Sequence, residues 1–157
     1  MKVEQIKEQL VNAGLKLGSV ESFTGGLFAS TITSVSGASN FYKGGYITYA
    51  TEEKIRLLGI PIEDVARYGV VSKEIAYHMA NNARQLLNVD VCVSFTGNAG
   101  PEAMEGKPVG EVHICVATAS AAQVYSLLLK GNRNEIQKQA VNFALEKITQ
   151  INQKFGQ

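Results

Sequence analysis

The stretch at residues 89–95 constrains the fold more than any other part of the chain. It is largely apolar and carries one charged residue, Asp90. A strand of this composition is typical of the middle of a sheet that other layers cover on both faces. Two further segments, at residues 17–22 and 45–50, are short and suited to strands, the second being rich in Tyr, Ile and Thr. The chain is therefore predicted to build its core around a buried sheet.

Helical patterns alternate with these strands. Apolar residues from Val3 to Ala13 recur at helical spacing, and Ser72 is a good N-cap for a long helix that would turn Leu86 inward. Asn132 and Glu135 have capping-box spacing at the start of the last helix. The other predicted helices lie at residues 24–35, 51–58 and 62–68, and Thr51 is the predicted cap of the second of these. Two more strands are predicted at residues 111–119 and 123–129, where they form a hairpin. This order predicts a three-layer α/β/α domain with a mixed sheet.

The bulk properties limit the classes of function. The 157 residues fit one domain, residues 1–157, and the net charge of +1 gives no support for a nucleic-acid or membrane partner. Cys92 and Cys115 both lie in apolar segments, which predicts buried, reduced thiols. The sequence carries no signal-peptide pattern and no apolar run long enough to span a membrane, so a soluble, cytoplasmic protein is expected.

Ser22 is the first candidate for chemistry. It lies where a predicted strand runs into the glycine-rich segment Thr24-Gly25-Gly26. Glycines there would allow a substrate to approach and would leave backbone N–H groups free for an oxyanion. A serine in this place could equally cap the helix that follows. Spacing alone leaves both interpretations open.

Lys54, 32 residues after Ser22, could serve as the base that a serine nucleophile needs. A lysine takes this role near neutral pH only if its surroundings lower its pKa. The neighbours Glu52 and Glu53 would act against this unless they point to solvent. A solvated lysine is the alternative. Tyr49 could donate to a substrate or relay a proton, or be a half-buried strand aromatic.

Two further glycine-containing segments, residues 96–101 and 131–133, could bring binding residues to the same edge of the sheet. Thr96 and Gly97 follow the buried strand, and ligands collect beyond the carboxyl ends of strands in open α/β sheets. The polar segment from there to Lys107 could be a flexible lid or an ordinary loop. Arg133 opens the last helix, where the helix dipole disfavours a cation, which predicts an anionic ligand or an acidic partner.

A metal site is not predicted. His78 and His113 are far apart in sequence, and no metal-binding spacing or acidic cluster is present. Both histidines are expected to be structural, and no cofactor is expected.

Six fragments in order resemble the CinA C-terminal domain family, whose characterised members are nicotinamide-nucleotide amidohydrolases. The family pattern is approximately A-E-S-C-T-G-G, G-G-x-x-T-Y-S-N-E-A-K, V-S, T-G-I-A-G-P, K-P-V-G and G-D-R. The counterparts here lie at residues 20–26, 44–54, 71–72, 96–101, 107–110 and 131–133. The resemblance extends from about residue 5 to residue 150.

The resemblance implies hydrolysis of the carboxamide of nicotinamide mononucleotide to nicotinate mononucleotide and ammonia, without a metal or cofactor. It places the nucleophile at Ser22, the base at Lys54 and a third catalytic residue at Tyr49. The substrate-binding residues that it implies are Thr24, Gly25, Gly26, Thr96, Gly97 and Arg133. It further implies a mixed, mostly parallel sheet of about five strands, similar to anticodon-binding domains, and a homo-oligomer. Many members carry an additional N-terminal domain, so a stand-alone or excised form is expected here.

This chain departs from the family pattern around the site. Phe23 replaces a small Cys beside the serine and could crowd the pocket, and Asn98 replaces an apolar Ile. Thr51 and Glu53 replace Asn and Ala near the lysine, and Asn132 replaces Asp beside Arg133. These departures leave open a second interpretation, a catalytically weak nucleotide-binding module. A third is an interaction domain linked to competence.

Overall fold

Five strands form one mixed sheet in the order β2-β1-β3-β4-β5. The computed structural model describes residues 2–155, with side chains as far as residue 151. The strands are β1 (Leu17–Glu21), β2 (Tyr42–Ile47), β3 (Val91–Gly97), β4 (Glu111–Ala117) and β5 (Ala122–Leu128). β1 runs parallel to β2 and to β3, while β3–β4 and β4–β5 are antiparallel pairs. The predicted five-stranded mixed sheet is confirmed, although its pairings divide equally instead of being mostly parallel.

Helices cover both faces of this sheet. They are α1 (Lys2–Ala13), α2 (Leu27–Ile32), α3 (Thr51–Leu58), α4 (Ile62–Tyr68), α5 (Lys73–Leu87) and α6 (Arg133–Phe155). Apolar residues of α1, α2 and α6 pack together with one face of β1, β3 and β4. Residues of α3 and α5 pack on the other face. The α/β/α sandwich expected from the element order is therefore the architecture of the described chain.

β3 is the buried central strand that its composition predicts. Val93 and Phe95 point into the layer of α1, α2 and α6, whereas Cys92 points toward α5. The strand begins at Val91 instead of residue 89. Just before it, the Asp90 carboxylate accepts a hydrogen bond from the Lys16 N–H at 2.7 Å. Both cysteines are buried and free, as predicted.

Several element boundaries differ from the predictions. β2 begins at Tyr42 and ends at Ile47, since its register with β1 extends back across Gly44 and Gly45. α2 begins only at Leu27, because Gly25 and Gly26 have φ of 59° and 103°, outside the helical range.

Two side-chain predictions about helices are wrong, and two capping predictions are confirmed. Thr51 is the first residue of α3 and not its cap, a position that Ala50 takes without a side-chain hydrogen bond. Leu86 is 54% exposed, and its neighbour Leu87 packs toward the sheet instead. Ser72 does cap α5, accepting from the Ile75 N–H at 3.2 Å. The capping box of α6 closes in both directions at 2.9 Å, between Asn132 and Glu135.

None of the helices in residues 2–155 is long and apolar enough to cross a membrane.

Candidate functional site

Ser22 lies at the carboxyl edge of the sheet, immediately after β1. Its N–H donates to the Phe95 carbonyl at 3.0 Å, and beside it the Thr48 N–H donates to the Glu21 carbonyl at 2.8 Å. These bonds continue the parallel pairing beyond the strand, so that Ser22 lies between Thr48 and Thr96. Because Ser22 makes no capping bond to α2, whose N-cap is Gly26, the interpretation of Ser22 as a helix cap is wrong.

Lys54 is buried against Ser22. Its Nζ lies 2.9 Å from Ser22 Oγ, and it donates to the carbonyl oxygens of Thr48 at 2.6 Å and Tyr49 at 3.5 Å. Only 1% of Lys54 and 8% of Ser22 is exposed. The alternative of a solvated lysine is therefore wrong, and the two residues that the sequence singles out are in direct contact.

The surroundings of Lys54 lower its pKa and so increase the share of its neutral form. Burial lowers the pKa of Lys54 to about 8, and the negative charge of Glu105 opposes this shift. Glu53 forms an ion pair with Arg56 at 2.7 Å and Glu52 is exposed. Roughly a tenth of Lys54 would then be unprotonated at pH 7. A neutral amine has two N–H groups and one lone pair, which matches two carbonyl acceptors and one hydroxyl donor.

The turn after Ser22 is organised by Glu21, a residue that sequence reasoning missed. Its buried carboxylate accepts hydrogen bonds from the N–H groups of Gly26, Phe28 and Ala29 at 3.0 to 3.1 Å. These are donors that the first turn of a helix leaves unpaired. An acidic residue at the end of a buried strand, five residues before a glycine-led helix, is the signal that could have identified it.

Free donors cluster in the same turn. No acceptor among the described residues takes the N–H of Phe23 or of Thr24. Thr24 Oγ1 and Thr48 Oγ1 are buried without any hydrogen-bond partner in the described chain. A Cβ built on Gly25 would meet no heavy atom within 4 Å, so the turn is open beside Gly25. This open, donor-rich turn directly follows Ser22, where an oxyanion would form.

Thr96 and Gly97 each make a structural contact at this edge of the sheet. The Thr96 hydroxyl donates to the Val70 carbonyl at 2.6 Å and is buried. A Cβ on Gly97 would lie 2.6 Å from a methyl of Val112, so the glycine permits close packing of β3 on β4. Among the described residues, the Thr96 hydroxyl makes no hydrogen bond to Ser22 or Lys54.

Arg133 connects two sides of the site. Its guanidinium donates to the Gly100 carbonyl at 2.7 Å and to the Tyr49 hydroxyl at 2.9 Å. No described carboxylate pairs with Arg133, and the nearby Glu135 is committed to the capping box. The predicted acidic partner is therefore absent from the described residues. Tyr49 is 61% exposed, so it is not the half-buried strand aromatic of the alternative interpretation.

The two departures that raised doubt about the pocket are accommodated elsewhere. The Phe23 side chain packs in the core under α2 and α6. Asn98 folds back into its own loop, where its side chain accepts from the Gly100 N–H at 3.0 Å and donates to the Glu102 carbonyl at 3.0 Å. Both side chains therefore have partners in the core or in their own loop.

The histidines have protein partners, as expected for structural residues. His78 lies 3.4 Å from Asp64, and His113 bonds Ser126 at 2.8 Å and Glu111 at 2.9 Å. Across residues 2–155, no group of three or more His, Cys, Asp or Glu side chains is arranged to hold a metal ion.

Comparison with known proteins shows the family of this chain. The family model for the CinA C-terminal domain matches residues 2–151. A competence-damage inducible protein from Limosilactobacillus fermentum is 50% identical over 113 residues, which are 72% of this chain and 27% of the relative. A protein of the same description from Caldicellulosiruptor saccharolyticus is 42% identical over 144 residues, 91% of this chain and 35% of the relative. The chain thus spans about a third or less of the length of these curated relatives.

Solved structures share the whole architecture. A CinA superfamily protein from Klebsiella pneumoniae superposes with a TM-score of 0.94 at 25% identity, covering 98% of this chain and 96% of the other. A competence/damage inducible protein from Agrobacterium tumefaciens superposes with a TM-score of 0.89 at 30% identity, covering 97% and 96%. With nearly all described residues matched by the family model and by these structures, the chain belongs to the CinA C-terminal domain family.

Proposed function

We propose that this chain hydrolyses the carboxamide of nicotinamide mononucleotide, releasing ammonia and nicotinate mononucleotide. The observation that carries the proposal is the buried contact between Lys54 Nζ and Ser22 Oγ at 2.9 Å. A serine hydroxyl becomes an effective nucleophile when an adjacent base accepts its proton. The choice of substrate rests on the resemblance of the site fragments to those of nicotinamide-nucleotide amidohydrolases.

In the first half of the reaction, neutral Lys54 accepts the Ser22 hydroxyl proton while Ser22 Oγ bonds to the carboxamide carbon. The carbonyl electron pair moves onto oxygen, and the N–H groups of Phe23 and Thr24, which have no acceptor in the described chain, would stabilise the oxyanion. The Lys54 ammonium then donates its proton to the amide nitrogen. The C–N bond breaks, ammonia leaves and an ester on Ser22 remains.

In the second half, Lys54 accepts a proton from a water molecule that attacks the ester carbon. The new oxyanion collapses, the bond to Ser22 Oγ breaks, and the lysine returns its proton to the serine. The product is the carboxylate of nicotinate mononucleotide, after loss of its acid proton to solvent. Thr48 and Tyr49 hold the lysine throughout by accepting its two remaining N–H groups through their carbonyls.

Arg133 is suited to the phosphate of the nucleotide. Its present partners, a carbonyl and a phenol, are neutral, so its charge is not balanced by a described carboxylate. Guanidinium groups bind phosphate through paired, charge-assisted hydrogen bonds. Tyr49 would then orient Arg133 through its hydroxyl, while its backbone carbonyl orients Lys54.

The proposal is tested by ammonia release from nicotinamide mononucleotide in Lys54→Met, with Lys138→Met as the matched control. Methionine fills the same volume without a base, and Lys138 is exposed. We expect the rate to fall by about 10²- to 10⁴-fold in Lys54→Met and to stay unchanged in Lys138→Met. Binding of the nucleotide by the wild type without any ammonia release would instead support a binding module.

A further inference from the structure

Glu105 occupies a tight turn in the loop that joins β3 to β4, residues 98–110. Met104 and Lys107 exchange two backbone hydrogen bonds, at 3.2 and 2.8 Å, across the two-residue turn Glu105-Gly106. Both turn residues have positive φ, 55° and 72°. A residue other than glycine in this region is uncommon, and such backbone positions cluster at functional sites.

The Glu105 carboxylate holds this loop against the segment that leads into α5. It accepts from the Val70 N–H at 3.0 Å and the Val71 N–H at 3.1 Å. Lys107 reinforces the contact, with its Nζ donating to the Val71 carbonyl and lying 3.4 Å from Glu105 Oε1. Gly69 makes room, since a Cβ there would come within 2.6 Å of the same carboxylate oxygen.

This contact lies close to the reacting pair. The Val70 N–H donates to the Glu105 carboxylate, and the Val70 carbonyl accepts from the Thr96 hydroxyl at 2.6 Å. Thr96 is the β3 residue beside Ser22. Among the charged groups of the described chain, Glu105 is the one whose field opposes the lowering of the Lys54 pKa. Burial acts to raise the pKa of Glu105, but the bonds from Val71 and Val70 and the Lys107 charge outweigh it and keep that pKa below its usual value.

Several other charged groups on β1, β2, β4 and helices α3 to α6 have partners of their own. Glu21 of β1 accepts from N–H groups of α2, Lys43 of β2 donates to Asn88, and Glu53 of α3 pairs with Arg56. Asp64 of α4 lies beside His78 of α5, Arg84 of α5 donates to Val89, and Glu111 of β4 pairs with His113. Arg133 of α6 donates to Tyr49 and Gly100. Glu52 of α3 and Lys73 of α5 are exposed, and Glu74 of α5 lines a surface groove.

We propose that Glu105 is a positioning residue for the Ser22–Lys54 pair, holding the β3–β4 loop against the segment at Val70 and Val71 and keeping its carboxylate on that side of the site. The inference rests on the proposed function for its kinetic readout. The same loop supplies the Gly100 carbonyl that binds Arg133. Glu105 would therefore affect both the charge of Lys54 and the position of Arg133.

The test compares wild type with Glu105→Gln, Glu105→Asp and the control Glu102→Gln, which removes one charge from an exposed position of the same loop. The readout is the pH midpoint of kcat/KM for ammonia release. In Glu105→Gln we expect the midpoint to move to lower pH by about half a unit, the size expected for one partly screened charge. Glu105→Asp, which keeps the charge and shortens the contact, should keep the wild-type midpoint even if its rate falls.

A second readout does not depend on the substrate. Lysine labelled with ¹³C at Cε reports the protonation of Lys54 by NMR, and Lys54→Met identifies its signal. If wild type releases no ammonia but the NMR midpoint still falls in Glu105→Gln, the proposed reaction fails and the role of Glu105 stands. If ammonia is released and both midpoints match between wild type and Glu105→Gln, Glu105 has a merely structural role and the inference is overturned.

Discussion

Lys54 Nζ lies 2.9 Å from Ser22 Oγ although the two residues are 32 positions apart in the chain. The sheet explains the contact, because β1 and β2 are parallel neighbours and the chain enters α3 at the same edge where β1 ends. The lysine side chain then folds back under Thr48 and Tyr49 into a buried space. A cation in such a place costs free energy, and this cost lowers the pKa of Lys54.

The rate should depend on pH through Lys54. Because the pKa of Lys54 is lowered to about 8 by burial, the neutral base increases as pH rises toward and through that value. We predict that kcat/KM for ammonia release rises about tenfold per unit below pH 8 and levels off above it. Initial rates from pH 6 to 9.5 measure this. A flat profile across this range would show that the rate does not depend on the protonation of a group with a pKa near 8.

The same pKa makes a prediction for stability. The folded pKa of Lys54 lies near 8 and its ordinary value is 10.5, so between these values the unfolded chain binds more protons than the folded chain. Stability attributable to this residue therefore rises from pH 8 to pH 10.5, by on the order of 3 kcal/mol. Denaturant unfolding across this pH range gives the free energy of unfolding of wild type and of Lys54→Met. The difference between their pH dependences is the contribution of Lys54. An identical pH dependence in both proteins would contradict the lowered pKa.

Glu21 should be required for the shape of the turn. Glu21→Gln keeps the volume but replaces a charged acceptor of three N–H groups with a neutral one that cannot accept at both ends. We expect a loss of about 2 to 3 kcal/mol in the free energy of unfolding, the value typical of buried hydrogen bonds to a charge. Urea unfolding measures it, with the surface change Glu63→Gln as the control. Equal stability of Glu21→Gln and wild type would exclude this role.

The sequence predicted the layers of the fold because composition and periodicity decide which segments are buried. It also selected Ser22 and Lys54 as candidates, yet their contact depends on the pairing of β1 with β2, which local patterns do not determine. The direction of the Thr96 hydroxyl was not predictable for a similar reason. It depends on where the segment before α5 passes, and that segment is fixed by Glu105 from a distant loop.

Leu86 and Phe23 show two further limits. Adjacent helical residues such as Leu86 and Leu87 satisfy nearly the same periodicity, so only packing on the sheet decides which one is buried. Phe23 stands beside the candidate nucleophile in sequence, but the turn sends its side chain into the core. Proximity along the chain is a poor guide to proximity in the pocket when a tight turn lies between.

Arg133 should discriminate between nucleotide and nucleoside. Arg133→Leu removes the guanidinium proposed to bind phosphate, so kcat/KM should fall about 10- to 100-fold for nicotinamide mononucleotide. For nicotinamide riboside, which lacks the phosphate, the change should be small. Ammonia release from both compounds is the measurement, with Arg56→Leu as a surface control. An equal loss for both compounds would assign Arg133 to structure instead of phosphate binding.

Ser22→Ala shows whether Ser22 is the nucleophile, by the rate of ammonia release from nicotinamide mononucleotide beside wild type and Ser34→Ala. Ser34 is exposed and bonds only within its own turn, so its loss controls for removal of a hydroxyl. We expect ammonia release by wild type and Ser34→Ala and a loss of at least about 10³-fold in Ser22→Ala, the scale typical of a missing nucleophile. Ammonia release by Ser22→Ala at the wild-type rate would contradict the assignment of Ser22 as the nucleophile.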